Sequence, residues 1–174
     1  MRLFVALDVP TAARDALAAV GAAADPALWR AVAPSSLHVT LAFLGAREPD
    51  DVAPIVASLD GAPAPALALG AVLLLPPRHA RVLAVAVEDR DGTLGGLQAR
   101  VSGALAAAGL YTPEKRPFRA HVTVARLRPR TRPPRDAVVA VDRQEFSGEA
   151  ITLYASHLHP SGARYEAVSR AILK

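Results

Sequence analysis

The strongest constraint on this chain is a histidine and a threonine placed two residues apart inside an alternating apolar run, an arrangement that occurs twice. The first copy contains His38 and Thr40, and the second contains His121 and Thr123. Successive side chains of a strand point to opposite faces, so each pair shares one face of a predicted strand. This alternation assigns Ala42 and Leu44 to the His38 face and assigns to the core-facing side Val39, Leu41, Phe43, Val122 and Val124.

Apolar runs and helical spacings along the rest of the chain predict a mixed α+β fold. Further strands are predicted at residues 2–8, 66–75, 80–87, 137–141, 145–156 and 164–173. Helices are predicted at residues 11–23, with Thr11 as the N-cap, and at 50–59 and 91–109. His121 follows His38 by 83 residues, close to half of the 174-residue chain. We therefore expect one domain, residues 1–174, made of two pseudo-symmetric lobes whose histidines face a shared groove.

Composition excludes several classes of protein. The chain has no cysteine, which removes thiol nucleophiles, disulfides and cysteine-ligated zinc. The apolar run at residues 3–7 is too short for a signal peptide, and no run approaches the roughly 18 residues of a membrane span. These features favour a cytoplasmic protein without a membrane partner.

Arginines concentrate around and after the second motif. The net charge is +4, and seven arginines fall within twenty residues: Arg116, Arg119, Arg126, Arg128, Arg130, Arg132 and Arg135. Guanidinium groups bind phosphate through two parallel hydrogen bonds, so this cluster favours an anionic partner. For Arg128 to Arg135 a solvated loop is an equal alternative, because the prolines at 129, 133 and 134 interrupt regular structure there. Arg119 lies two residues before His121 and shares its face by alternation. Arg126 lies five residues after His121 and reaches the same face only if the strand ends or bulges near Ala125.

Two histidines on opposed strands suit the cleavage of a phosphodiester, because one can accept a proton while the other donates one. Thr40 and Thr123 would hydrogen-bond the phosphate oxygens, and an arginine would stabilise the negative charge. No metal is required. The residues alone leave open which histidine is the acid and which is the base.

Other interpretations of these histidines are weaker. A structural histidine in a strand is common, but a doubled motif argues against it. A zinc site would need three or four protein ligands, and no third ligand accompanies the motifs. A serine triad using Ser35 or Ser36 would lack the Gly-x-Ser-x-Gly signature. The histidines without a threonine two residues later are expected to be structural or superficial: His79, His157 and His159.

Four segments together resemble a known family: RLFVALDVP at residues 2–10, LHVTLAFLG at 37–45, RPF followed by HVTVAR within 116–126, and LYAS at 153–156 followed by Tyr165. The chain is similar to the two-histidine (2H) phosphoesterases, specifically to bacterial and archaeal RNA 2′,3′-cyclic phosphodiesterases, also called 2′-5′ RNA ligases. The resemblance implies a bilobal α+β fold with two antiparallel sheets flanking a central cleft and helices outside.

The resemblance also implies roles for individual residues. His38 would donate a proton to the departing 3′ oxygen, and His121 would activate water, giving a 2′-phosphomonoester. Thr40 and Thr123 would hold the phosphate, and Arg126 matches a recurrent arginine of the family. Three positions depart from the pattern: Ala120 stands where relatives often have proline, and Ala84 and Ala171 stand where they have tryptophan. Losing two large aromatic side chains is expected to weaken base stacking.

We therefore expect a monomeric, metal-independent and cofactor-free phosphodiesterase. Its partner would be RNA with a 2′,3′-cyclic phosphate end, including tRNA-like fragments, and the reverse 2′-5′ ligation is implied as well. One alternative is an enzyme acting on a small cyclic nucleotide or a cyclic phosphate of ADP-ribose. Another is a noncatalytic RNA-binding module, which an aromatic content of 5% disfavours because it offers no stacking platform.

Overall fold

In the described part of the chain, nine strands and three helices follow one another in a mixed order. The structure is a computed structural model that describes residues 1–137, 139–159 and 162–174. The strands are β1 Arg2–Asp8, β2 Trp29–Ala31, β3 His38–Ala46, β4 Ala66–Leu75, β5 Val82–Asp89, β6 His121–Leu127, β7 Glu145–Ser147, β8 Ala150–His157 and β9 Arg164–Ile172. The helices are α1 Thr11–Ala23, α2 Pro49–Ala57 and α3 Thr93–Ala107, with one 3₁₀ turn at Pro34–Ser36.

All strand pairs are antiparallel, and they form a curled sheet in the order β7-β4-β5-β6-β3-β1-β8-β9, with β2 beside β6. β3 and β6 share a single residue pair, Val39 with Val122, so two sets of strands meet along one narrow seam. The predicted α+β class is confirmed. The two expected sheets are present as two halves of one continuous sheet.

Three details of the element prediction are wrong. Residues 137 and 139–141 form no strand, and Val138 lies outside the described residues. The segment 145–156 is not one strand: β7 pairs with β4 while β8 pairs with β1, so the chain crosses from one half of the sheet to the other near Gly148. Pro10, not Thr11, is the N-cap of α1, because its extended backbone leads directly into the first helical residue.

The hydrophobic core lies between the helices and one face of the sheet. Val39 and Val122 are fully buried there, together with the apolar stripe of α3, which consists of Leu94, Leu97, Val101 and Leu105. Helix α1 packs against β6, and α3 packs against β3. The opposite face of the same strands carries the two His-x-Thr pairs, which remain partly exposed. None of the helices in the described ranges is long and apolar enough to cross a membrane.

Helix α1 approaches the backbone of β6 at Gly21. A Cβ added there would lie 2.6 Å from the carbonyl oxygen of Val124, which also accepts a hydrogen bond from the Val32 amide at 2.8 Å. Only a residue without a side chain fits this contact, even though glycine is a poor helix former.

We expect Gly21→Ala to lower the free energy of unfolding by about 1–3 kcal/mol, because the overpacking outweighs the better helix propensity of alanine. Gly103→Ala in α3 is the matched control, since a Cβ there meets open space. That substitution is expected to raise stability by up to about 1 kcal/mol. Urea unfolding of both variants checks the pair, and equal stabilisation by both substitutions would contradict the close packing.

Candidate active site

Both motif strands contain a β-bulge three residues after the histidine. In β3, Ala6 pairs with Thr40 but Val5 pairs with Ala42, which leaves Leu41 as the extra residue. In β6, Ala84 pairs with Thr123 but Leu83 pairs with Ala125, which leaves Val124 as the extra residue. An extra residue shifts the alternation, so the side chains that follow it change face; β3 has a further register shift at Leu44, beyond Phe43.

The first bulge corrects the predicted faces of β3. Phe43, expected in the core, is 66% exposed, and its ring lies 5.9 Å from Phe4, which stacks on His38 at 4.9 Å. Ala42 and Leu44, expected beside His38, are buried. The carbonyl of Leu41 accepts a hydrogen bond from the Gln98 side chain at 3.3 Å, so the bulged residue has a partner in α3.

The second bulge places Arg126 on the face of His121. Arg126 pairs with Val82, which shares a face of β5 with Ala84 and Ala86, the partners of Thr123 and His121. Its charge also acts on His38, where it lowers the pKa of that imidazole. Arg126 was expected to reach the face of His121 only if the strand ended or bulged near Ala125. The bulge at Val124 meets that condition.

The seam between β3 and β6 brings the two His-x-Thr pairs together. Continuing the register from the Val39–Val122 pair places Thr123 across from His38 and Thr40 across from His121. Each histidine thus lies opposite the threonine of the other strand, so the two strands are related by an approximate two-fold axis. His121 is close enough to His38 for its charge to lower the pKa of His38.

The two imidazoles are held in the same way. Nδ1 of His38 lies 2.8 Å from the carbonyl oxygen of Ser36, and Nδ1 of His121 lies 2.8 Å from that of Arg119, in each case two residues earlier. A carbonyl oxygen only accepts, so both Nδ1 atoms donate and carry a proton. Nε2 is then the nitrogen that gains or loses a proton in each ring. In His38 it lies 3.1 Å from the hydroxyl of Thr40.

Aromatic side chains surround His38. Its ring lies 4.9 Å from Phe4 and 5.5 Å from Tyr165, and Phe4 is 5.3 Å from Tyr154. With Phe43, these rings form what we call the aromatic wall: Phe4, Phe43, Tyr154 and Tyr165. The inference that the chain lacks a stacking platform is therefore wrong, because a low aromatic content does not prevent the few rings from gathering at one place.

Asp8 is a site residue that the sequence reasoning missed. Its carboxylate, 6% exposed, accepts hydrogen bonds from the Thr152 hydroxyl at 2.8 Å, the Tyr154 hydroxyl at 2.7 Å and the Arg170 guanidinium at 3.1 Å. Burial and this carboxylate raise the pKa of Tyr154, which keeps its hydroxyl protonated. Asp8 pairs with His38 across β1 and β3. The available signal was a carboxylate that ends an otherwise apolar strand.

Several nearby charges shift the pKa of His38 in opposite directions, but burial has the largest effect on it. The pKa of His38 is lowered from 6.5 to about 4, chiefly by burial, and the charges of Arg126 and His121 contribute to the lowering. The hydrogen bond to the Ser36 carbonyl and the charge of Asp8 act in the opposite direction. A protonated His38 therefore needs additional negative charge nearby.

The other residues singled out in the sequence lie in varied surroundings. The Arg119 side chain is exposed, and the backbone of this residue orients His121. Ala84 is fully buried beside Thr123, and Ala171 is fully buried across from Ile151. His157 is exposed and lies 3.2 Å from Glu166, and His79 and His159 are exposed as well. In the described part of the chain, no three or more His, Asp or Glu side chains are grouped to bind a metal ion.

Comparisons with known proteins identify relatives of this chain in sequence and in fold. The family model described as LigT-like phosphoesterase matches residues 7–84. A Thermus thermophilus protein named RNA 2′,3′-cyclic phosphodiesterase is 30% identical over 194 aligned residues, covering 100% of this chain and 91% of that protein. A crystal structure of a Thermus thermophilus protein superposes with a TM-score of 0.79 at 30% identity, covering 99% of this chain and 97% of that one. The structure of E. coli LigT complexed with 3′-AMP gives a TM-score of 0.78 at 27% identity, with the same coverage of both chains.

We expect the imidazole of His38 to titrate near pH 4, and Arg126→Gln to raise its pKa because the substitution removes a nearby positive charge. Since the pKa is lower in the folded than in the unfolded chain, protonation of His38 favours unfolding. Its contribution to stability is complete above about pH 6.5 and is lost as the pH falls through about 4. Proton–carbon NMR of the ring checks the pKa. A midpoint near 6.5 in the wild type, or a lower pKa in the variant, would contradict the described surroundings.

Proposed function

Because the chain belongs to the LigT-like phosphoesterase family, we propose that it hydrolyses the terminal 2′,3′-cyclic phosphate of an RNA to a 2′-phosphomonoester without a metal ion. The observation that carries this proposal is the meeting of two His-x-Thr strands at one seam, each imidazole held by an Nδ1 hydrogen bond. Two such imidazoles suit a reaction in which one proton is accepted and another donated.

The proposed step uses both histidines through Nε2. Nε2 of His121 accepts a proton from water as the water oxygen forms a bond to phosphorus. The bond between phosphorus and the 3′ oxygen breaks, and that oxygen receives the proton of His38 Nε2. Thr40 and Thr123 donate hydrogen bonds to the phosphate oxygens, while Arg126 stabilises their charge and Arg119, an exposed cation next to the strand, attracts the anion. The products are a free 3′ hydroxyl and a 2′-phosphomonoester.

The low pKa of His38 is compatible with its role as the acid. The lowered pKa, for which burial is the main cause, keeps the ring neutral at neutral pH, but an anionic phosphate bound against it would favour the protonated form. The acid would thus be charged only together with its substrate. Asp8, which already raises the pKa of His38, adds to this effect from the opposite side.

The proposal of an RNA substrate is supported by three observations. The Thermus thermophilus relative is named for RNA 2′,3′-cyclic phosphodiesterase activity, and E. coli LigT has been crystallised with 3′-AMP. In this chain the exposed ring of Phe43 stands in the aromatic wall beside His38, where the base of a terminal nucleotide would stack.

We also propose that residues 1–174 form one domain of two pseudo-symmetric lobes, as the spacing of the motifs suggests. Support comes from the equal position of the two bulges and from the equal hydrogen bonds of the two Nδ1 atoms. Each lobe would contribute one histidine, one threonine and the residue five positions after the histidine.

We expect His38→Ala and His121→Ala each to reduce turnover of an oligonucleotide 2′,3′-cyclic phosphate by at least about 100-fold in buffer containing EDTA, because each removes one proton-transfer group. His157→Ala, an exposed histidine outside the seam, is the matched control and should retain wild-type rates. Phosphorus NMR identifies the product as the 2′ or the 3′ monoester.

The same assay separates the alternatives. Turnover of a small cyclic mononucleotide but not of the oligonucleotide would favour a small-molecule phosphodiesterase. RNA binding without turnover would favour a noncatalytic module. Near wild-type activity in either histidine variant would remove that residue from the mechanism.

We expect Phe43→Ala to raise KM for adenosine 2′,3′-cyclic phosphate about tenfold, a loss within the range of base stacking on an aromatic side chain. Phe43→Trp should preserve KM, because it keeps a stacking surface. Glycerol 1,2-cyclic phosphate, which has no base, should show the same kinetics with wild type and Phe43→Ala. An equal loss on both substrates would contradict a stacking role.

A further inference from the structure

A pocket lies beside the Arg126 end of β6. It has a volume of about 300 Å³, and four of the seven residues that line it are arginines: Arg30, Arg81, Arg126 and Arg128. The remaining wall consists of Val82, Leu127 and Pro129. We call this the arginine pocket. It adjoins the candidate active site because Arg126 belongs to both.

Strand register forces two of these arginines together. Arg30 of β2 pairs directly with Arg126 of β6, so both side chains lie on the same face of the sheet. On the other side of β6, Arg126 pairs with Val82, the residue that follows Arg81. Like charges directly opposite each other in an antiparallel pair destabilise it. The positive charges of Arg30 and Arg126 therefore repel each other in the folded protein.

Among the residues that the structure describes, no carboxylate relieves that repulsion. In the described ranges, none of the arginines that line the pocket lies within 4.0 Å of an Asp or Glu oxygen; the arginines with such partners are Arg116, Arg143 and Arg170. Arg128 donates through Nε to the carbonyl oxygen of Pro26 at 2.7 Å, a bond that orients its guanidinium without neutralising it. Such a concave group of guanidinium ions attracts and binds an anion, most strongly a phosphate.

We propose that the arginine pocket binds the phosphodiester that joins the terminal nucleotide to the nucleotide before it. This inference rests on the proposed function and identifies the substrate class as oligonucleotides. A mononucleotide 2′,3′-cyclic phosphate has one phosphate, which the two histidines would use. An oligonucleotide carries a second phosphate on the 5′ oxygen of the terminal ribose, and the pocket adjoining Arg126 receives it.

The test compares a dinucleotide ending in a 2′,3′-cyclic phosphate with adenosine 2′,3′-cyclic phosphate. We expect the ratio of their kcat/KM values to fall about tenfold in Arg30→Gln and in Arg81→Gln, the loss of one charge-assisted phosphate contact. Arg100→Gln removes an equal charge from an exposed position on α3, and its ratio should match the wild type. The salt dependence of dinucleotide turnover should also weaken by about one unit of log–log slope in each pocket variant.

Two results would overturn the proposal. The first is an unchanged ratio of kcat/KM values in both pocket variants. The second is an equal fall of that ratio in Arg100→Gln, which would indicate long-range electrostatic attraction instead of a binding site. Binding of a dinucleotide 3′-phosphate relative to 3′-AMP, measured by calorimetry, provides a second readout that needs no turnover. Wild-type protein that turns over neither cyclic phosphate would refute the proposed function. In that case the preference for the dinucleotide 3′-phosphate over 3′-AMP in binding still tests the pocket. A smaller preference in Arg30→Gln than in the wild type would support it, and an equal preference would refute it.

Discussion

The candidate site depends on one departure from regular strand geometry, the extra residue that follows each His-x-Thr pair. Without it, the residue five positions after the histidine would point into the core. With it, Phe43 and Arg126 stand on the same face as the histidines. Each bulged residue directs its carbonyl to a specific partner: that of Leu41 accepts from Gln98, and that of Val124 accepts from the Val32 amide beside Gly21. Tertiary contacts with α3 and with the segment after β2 thus support the irregularity on which the candidate site depends.

The same geometry makes the two halves of the site unequal. At matching positions after the histidine, one half presents an aromatic ring and the other a guanidinium group. The rings continue along β1, β8 and β9 as the aromatic wall, while the arginines continue into β2 and the segment before β5. A duplicated scaffold that was equal in both halves would accept a phosphate in either orientation. Unequal side chains at equivalent backbone positions instead give the two ends of the site different chemistry, aromatic at one end and cationic at the other.

The sequence predicts the local features of this protein well and the long-range ones poorly. Helix positions and most strands follow from apolar spacing, and the doubled His-x-Thr pair marks the seam. The face of Phe43 was predicted wrongly because a bulge has no clear signal in an alternating apolar run. Asp8, Arg30 and Arg81 were missed for a different reason: their significance comes from pairing with residues far away in the chain, such as Thr152 for Asp8 and Arg126 for Arg30.

Charge balance around His38 connects the structure with the chemistry. The imidazole is surrounded by apolar rings and faces His121 and Arg126, all of which disfavour a proton on it. Asp8 opposes them, but its carboxylate already accepts three hydrogen bonds, one of them from Arg170, which reduces its influence. The balance therefore favours a neutral ring until an anion arrives between the two strands. Binding of that anion and proton uptake by His38 are then linked, because each favours the other.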